Sequence, residues 1–486
     1  MNPARLVFPG LRWGSRAPDE VWPEVRASLD LGVGGFVVFG GSVIAMKELV
    51  GRALEHAGRP VLFAADLERG AGQQLEGATA LPPAAALASM TDRGLLVAAR
   101  MTAQEAASAG IGWVLAPVAD LDVEPANPIV GTRSFGADPA AVADVVRVWV
   151  RTAQDEGVHA CAKHFPGHGR TTADSHAELP VVGATRGDLD ADLTPFGAAI
   201  EAGVHTVMMA HVVYPVLDPS GAPASLSPSI YRLLRDELGF EGVVASDALI
   251  MHAISASGRS ETEAAVEAVR AGCDALLYPS SPEDAVAALN AALSSGVLER
   301  ARVSEALERV ERLATDARIE LDDLVPEPSD AQALELATSS ILCVRGMLPR
   351  WWPGQSLRVH VIDDDVVSLP DWLSVPASPP RDRAGLARAL ERRAARVEGP
   401  SYRAPAVDLI AIFSEVRGWK GRAGLAPETV SEAVRIIEKA PEAVVVLFGH
   451  PRLADQVPSA ATVVCAWCGD LLMQDAVAER LIVTPT

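Results

Sequence analysis

Several features are missing from this chain of 486 residues. No apolar run reaches the length needed to cross a bilayer, which argues against a membrane span. The first residues, Met1-Asn2-Pro3-Ala4-Arg5, carry no charged region followed by a long apolar stretch, so no secretory signal is expected. Cysteine is scarce and odd in number. Cys161, Cys273, Cys343, Cys465 and Cys468 fit no disulfide pattern and read as reduced thiols of a cytoplasmic protein. Cys465-Ala466-Trp467-Cys468 has the spacing of half a metal or redox site. No second pair exists, and packing at a strand end is the expectation. Positive charge is also short, with 42 Lys and Arg against 63 Asp and Glu and a formal net charge of −21. That balance argues against nucleic acid as a partner and favours solubility. Lysine is the rarer base, at only Lys47, Lys163, Lys420 and Lys439.

What is present is length and apolar content. The chain is too long for one ordinary domain, and about half its residues are apolar, enough for large cores. Short apolar runs recur at Leu6 to Phe8, Phe36 to Phe39, Val61 to Ala65, Trp113 to Pro117, His159 to Ala162, Thr206 to Ala210, Val243 to Ala245 and Ala275 to Tyr278. Between most of them lie Ala-rich stretches of helical period, such as Asp138 to Glu156 and Ser260 to Ala271. Eight strand candidates with helical spacers predict an α/β fold, a (β/α)8 TIM-like barrel. Leu298 to Ile319 reads as a closing helix, and the acidic, Pro-containing stretch after it as a linker. A smaller α/β sandwich domain follows, with strand-like runs at Ser340 to Val344, Leu357 to Ile362, Val407 to Phe413, Val444 to Phe448 and Thr462 to Ala466. Helical stretches are expected at Arg383 to Val397, Pro427 to Lys439 and Leu472 to Leu481. The predicted division is residues 1–320 for the catalytic barrel, 321–335 for the linker and 336–486 for the sandwich domain.

The barrel reading places chemistry. Active sites of such barrels lie at the carboxyl ends of the strands. Asp66 follows the third strand, His164 the fifth, His211 the sixth and Asp247 the seventh, so polar groups converge on one face. A doubly wound sheet would also gather ligands at strand ends, so the pattern alone does not fix the fold. The densest motif is Lys163-His164-Phe165-Pro166-Gly167-His168-Gly169 followed by Asp174-Ser175-His176. It ends a buried strand and opens a Pro- and Gly-containing loop, where polar residues suggest a site more than packing. A lysine inside it fits a need for a compact ammonium donor, and chance equally explains a single position.

This motif resembles glycoside hydrolase family 3, specifically its β-N-acetylglucosaminidase branch. Ala116-Pro117-Val118 through Asp122, with Asn127-Pro128-Ile129-Val130-Gly131-Thr132-Arg133-Ser134-Phe135-Gly136, resembles the family's second block. Gly242-Val243-Val244-Ala245-Ser246-Asp247 resembles its nucleophile strand, and Ala271-Gly272-Cys273-Asp274 its last barrel strand. The resemblance implies a retaining β-glycosidase, most simply an exo-acting β-N-acetylhexosaminidase. Asp247 would be the nucleophile, although the residues alone favour an aspartate that caps the next helix, from Ala248 onward. His176 with Asp174 would be the acid/base dyad of that branch. A histidine titrates near neutrality and can give and retake a proton, and a carboxylate beside it orients the ring. Asp66, Arg133, Lys163 and His164 look like the sugar-binding shell, and His168 a brace of the loop. His211 lines the pocket or is a buried histidine bonded to backbone. The stretch Asp66-Leu67-Glu68-Arg69-Gly70-Ala71 departs from the family pattern at Arg69 and Ala71, which loosens the assignment of the sugar. Val445-Val446-Leu447-Phe448-Gly449-His450-Pro451 resembles the family's second domain.

The alternatives are a phosphorylase or β-glucosidase of the same family, a metal-dependent barrel hydrolase, and a non-catalytic sugar-binding protein. A histidine donor repels phosphate less than a carboxylate would, which keeps phosphorolysis open. The metal class needs a His-x-His pair at its first strand, and none occurs. No cofactor and no metal site are expected. The expected partner is a carbohydrate, an N-acetylglucosamine-containing glycan or wall fragment; neither nucleic acid nor membrane is. The loop Arg417-Gly418-Trp419-Lys420-Gly421-Arg422 reads either as a sugar contact or as a surface turn.

Overall fold

The computed structural model describes residues 2–14, 16–90, 92–317, 329–365, 382–398, 406–416 and 420–483. The chain divides into two compact units. The first comprises Met1–Thr79, Leu95–Glu124 and Ser134–Pro328, and the second Ala80–Gly94, Pro125–Arg133 and Ser329–Thr486. Two short stretches from the first third of the sequence therefore belong with the second unit.

In the first unit the apolar runs form β1 (Val7–Phe8), β2 (Gly10–Gly14), β3 (Gly35–Gly40), β4 (Leu62–Ala65), β5 (Trp113–Val114), β6 (His159–Phe165), β7 (Thr206–Met209), β8 (Val243–Ser246) and β9 (Leu276–Leu277). β2 to β8 make one sheet in sequence order, every neighbouring pair parallel. β1 pairs in parallel with β9, and the Ser246 amide donates to Ala275 O at 2.9 Å, tying β8 to the same pair. β1 and β2 are one strand interrupted at Pro9, and on the other side the Val37 amide donates to Pro9 O at 2.9 Å. The eight strand positions thus close into a parallel barrel with a helix or helices after each strand. β4 to β9 are buried along their whole length, which explains why they read as continuous apolar runs without alternation. Phe8 meets Trp113 edge-on at 5.5 Å between centroids, and Phe36 stacks on Phe63 at 5.5 Å. Each such buried aromatic contributes about 1.5–3 kcal/mol.

The helices start where the sequence caps them. Asp138 accepts the Ala141 amide at 2.8 Å ahead of the helix Pro139–Asp155. Thr185 with Asp188 and Ser260 with Glu263 form reciprocal capping boxes for Arg186–Glu201 and Glu261–Ala271. No helix among the described residues is long and apolar enough to cross a membrane.

The second unit is built on β10 (Leu342–Arg345), β11 (Ser356–Asp363), β12 (Arg396–Glu398), β13 (Val407–Ser414), β14 (Val444–Gly449) and β15 (Thr462–Cys465), in the order β10-β15-β14-β13-β11-β12. Only the β10–β15 edge is antiparallel. One face buries Phe413, Phe448 and Leu357 against Leu386, Leu390, Met473 and Val477, and the other buries Ile410, Ile412 and Val445 against Ala433, Ile436 and Leu453. This is the α/β sandwich, with helices on both faces of the sheet. One expected helix is shorter than its pattern suggests. Arg383 to Val397 is helical only over Gly385–Arg392. Arg396–Glu398 instead pairs in parallel with Ser356–Arg358, because the ladder on β11 offers that segment partners that a helix end would not. Cys465 and Cys468 are buried, as core packing requires.

Candidate active site

The carboxyl ends of β4 to β8 carry a nearly continuous set of paired charges. Lys163, on β6, has a side chain only 2 % exposed, and its ammonium lies 2.6 Å from Asp66 Oδ1 and 2.7 Å from Glu68 Oε1. Asp66 keeps about a third of its side chain exposed (31 %), so it is the member of this trio that offers an oxygen to a ligand.

The next residue, His164, donates from Nδ1 to Asp120 Oδ2 at 2.7 Å. Asp120 is fully buried, and its other oxygen accepts the backbone amides of His164 at 3.1 Å and His168 at 2.6 Å. Burial alone would push this carboxyl up. The charge and hydrogen bond of His164, with the His168 amide, win, and it stays below the usual carboxylate range. Sequence reading gave Asp120 no role. The strand-end rule that found Asp66 and His164 would have found it too, since it lies shortly after β5.

The loop after β6 carries the predicted dyad. His176 Nδ1 lies 2.8 Å from Asp174 Oδ1, and the His176 amide also donates to that oxygen at 2.9 Å. A carboxylate only accepts, so Nδ1 holds the ring proton, and a proton exchanged with a ligand would pass through Nε2. Asp174 is buried, while His176 keeps 27 % of its side chain exposed. His168 sits behind this pair. It bonds Thr171 Oγ1 through Nδ1 at 2.8 Å and Ser175 Oγ through Nε2 at 3.1 Å. Burial lowers its pKa to about 4, so it is neutral and joins the two halves of the loop.

Asp247 follows β8. Its Oδ1 accepts the Ala248 amide at 2.8 Å, but no helix starts there: the next begins at His252, with no side-chain cap. The capping alternative therefore has no helix to cap. Burial works to raise the Asp247 pKa. The charges of His164 and His211, the Ala248 amide and His176 outweigh it, and the carboxyl is held below its ordinary range. His211 is fully buried, 2.6 Å from Ser225 Oγ and 3.2 Å from Ala248 O. It is a backbone-bonded histidine that braces the segment beside Asp247, and burial lowers its pKa.

Asp66, Lys163, His164, His211, Asp247, Asp174 and His176 all lie in the first unit. Arg133 falls in the second, ending its Pro125–Arg133 stretch, where its guanidinium donates to Ile129 O at 3.0 Å. In the loop that reads either as a sugar contact or as a surface turn, Arg417 to Trp419 lie outside the described residues. Lys420 is buried among Asp364 at 3.3 Å, Asp365 at 3.1 Å and Ser414 Oγ at 2.9 Å, an internal partner set that a surface turn would not have. Among the described residues no group of three His, Cys, Asp or Glu side chains is arranged to hold a metal ion.

The chain that places a low-pKa carboxylate after β8 and a histidine–carboxylate pair on the loop after β6 resembles known proteins. The glycosyl hydrolase family 3 N-terminal domain matches residues 26–313. A β-N-acetylglucosaminidase/β-glucosidase of Cellulomonas fimi is 35% identical over 317 residues, 60% of this chain and 56% of that protein. The chain thus spans little more than half of that relative. A β-hexosaminidase of Nitrosomonas eutropha is 35% identical over 265 residues, 52% of this chain and 75% of its own. A glycoside hydrolase family 3 β-N-acetylglucosaminidase from Paenibacillus sp. has a solved structure that superposes with a TM-score of 0.82 at 26% identity, covering 99% of this chain and 96% of that one.

Proposed function

The chain belongs to glycosyl hydrolase family 3, and from that premise we propose a retaining β-glycosidase that removes terminal β-linked N-acetylhexosamine. The observation that carries the reading is the His176–Asp174 pair at 2.8 Å, on the loop next to the strand end that holds an ionised Asp247.

In this reading Asp247 attacks the anomeric carbon and His176 Nε2 gives its proton to the departing oxygen. Asp174 stabilises the ring while it is cationic. The same nitrogen then takes a proton from water as water displaces the sugar from Asp247. The attacking carboxylate must be charged when the acid is protonated, and the depressed Asp247 pKa supports that combination. Asp66 would accept sugar hydroxyls while Lys163 holds its Oδ1; His164 completes the proposed shell of the first unit, and His211 supports the nucleophile segment. The proposed location is cytoplasmic, with wall-derived fragments as substrate, and the barrel of residues 1–320 as the catalytic domain.

The test is a panel of aryl β-glycosides with and without the 2-acetamido group, with the first product anomer followed by NMR. Preference for the 2-acetamido sugars and release of the β-anomer are expected. Release of the α-anomer overturns the covalent mechanism, and indifference to the acetamido group overturns the substrate. One observation favours a second reading: an acid/base histidine carries no negative charge to repel phosphate. Sugar 1-phosphate formed in phosphate buffer would establish phosphorolysis.

A further inference from the structure

The loop from Pro166 to Thr185 has to hold His176 in place, and its first half is anchored in an uneven way. Gly167 and Gly169 bring the backbone close to the barrel. Gly167 has φ +129°, and a Cβ at Gly169 would lie 1.9 Å from Leu121 O. Tyr214 donates its hydroxyl proton to Gly167 O at 2.8 Å. Between these contacts and the dyad, Arg170 reaches the helix Arg186–Glu201. Its Nε donates to Asp192 Oδ2 at 2.7 Å and its Nη2 to Asp188 O at 3.3 Å, and Nη1 lies 3.5 Å from Asp188 Oδ1.

Asp192 is an unusual partner. It is buried, yet its second oxygen, Oδ1, has no hydrogen-bond partner among the described residues. Burial raises its pKa to about 6; Arg170 works against the rise, while Asp120 and Asp188 add to it, and Tyr214 is the other titratable neighbour. A carboxylate kept for stability would sit below its ordinary value, not above it. Its charged form is costly to the fold, and the one cation within hydrogen-bond reach is on the loop that carries the proton donor.

We propose that Arg170 and Asp192 are positioning residues, an ion-pair clamp that fixes the loop carrying His176 and Asp174 where the proton must be delivered. The clamp acts through a short path. Arg170 lies between Gly169 and Thr171; Thr171 and Ser175 are both bonded to His168, and Ser175 O accepts the Ala253 amide at 3.2 Å on the far side of the loop. Loosening Arg170 lets the dyad drift without removing any group that touches substrate. A displacement of this kind is costly only where proton transfer matters.

The inference rests on the acid/base reading of His176, and the experiment separates the two. kcat/KM is measured across aryl and alkyl N-acetylhexosaminides of falling leaving-group ability for wild type, Arg170→Ala, Arg170→Lys, Asp192→Asn and His176→Ala. Melting temperatures at pH 8 are measured beside them. Arg170→Ala should lose roughly 10- to 100-fold on poor leaving groups and far less on good ones. Arg170→Lys should recover much of that loss, and Asp192→Asn should reproduce it while keeping or raising the melting temperature. Equal losses across the series in Arg170→Ala, with a graded loss in His176→Ala, overturn the clamp alone. No gradation in His176→Ala overturns the acid/base assignment, and the clamp with it. An Asp192→Asn variant that melts lower at pH 8 with an unchanged leaving-group dependence makes the pair a structural brace and also overturns the proposal.

Discussion

The two ends of the barrel each bury a cluster of charge, and the clusters are built differently. At the amino end Asp274 is fully buried and accepts from every side. Arg235 at 2.7 Å and the Val244 amide at 3.0 Å share Oδ2, and Arg302 and Arg309 share Oδ1, while Glu305 balances the arginines from outside. No oxygen is left for a ligand. At the carboxyl end Asp66, Glu68, Asp120, Asp174 and Asp247 meet one lysine and several histidines, and Asp66 and His176 keep exposed surface. A saturated cluster with excess cation holds strands together. A cluster whose carboxylate and histidine reach the surface can bind and react. Both contain residues that look alike in the sequence; the difference lies in how many partners each carboxylate has.

Asp247→Ala should break the comparison most sharply. It removes the proposed nucleophile from the open cluster, so turnover of an activated aryl glycoside should fall by roughly 10³-fold or more. The melting temperature should fall by a few degrees at most, because the Ala248 amide is the only hydrogen-bond donor to Asp247 among the described residues, although the depressed pKa means that its charge adds some stability. A variant that keeps near-normal rates removes Asp247 from the chemistry. Asp274→Ala should do the reverse. Three guanidinium groups lose their shared acceptor, which costs about 3–5 kcal/mol of stability. The rate per folded molecule should stay as it was. A stable Asp274→Ala protein, or one folded but inactive, would contradict the division of labour.

These contrasts also mark what could be read beforehand. The eight strands were legible because a parallel barrel buries both faces of each strand, and long apolar runs survive without alternation. Asp66, His164, His211 and Asp247 could be put on one face by counting strand ends alone. The partners could not. Asp120, Arg170 and Asp192 lie far apart in the chain, and nothing local tells Asp120, which accepts a buried ring, from Asp274, which accepts three arginines. Lys420 shows the same limit in the second unit. Its loop reads in sequence as either a sugar contact or a surface turn, and the side chain is instead buried among Asp364, Asp365 and Ser414. Lys420→Met should therefore lower stability by about 2–4 kcal/mol, since it strands buried carboxylates, and should leave KM for a small aryl sugar unchanged. A raised KM with unchanged stability would restore the sugar-contact reading.

The smallest effect separates the two ends by pH. His159 lies at the amino end, where its Nδ1 is 2.8 Å from His205 Nδ1 and its Nε2 donates to Leu313 O at 2.7 Å. His168 lies at the carboxyl end inside the reactive loop. Burial is the main cause that lowers each to about 4 from an ordinary value of 6.5, with neighbouring His205 and His164 adding to the effect. The sign follows from which state binds protons first. Above 6.5 both histidines are neutral whether folded or not, and the native state keeps its full advantage. Between 6.5 and about 4 the unfolded chain takes up protons that the folded chain refuses, so stability falls as the pH falls, by on the order of 2–3 kcal/mol for each site. Urea unfolding at pH 7.5, 6 and 5 should therefore show a shallower acid slope in both His159→Gln and His168→Gln than in wild type. Activity should then part them. His159→Gln should keep the wild-type rate per folded molecule, whereas His168→Gln loses the bonds that join Thr171 to Ser175 and should slow substrates with poor leaving groups. An unchanged acid slope in either variant would mean that its histidine is charged in the fold. Equal kinetic losses in both would mean that the amino end reaches the chemistry after all.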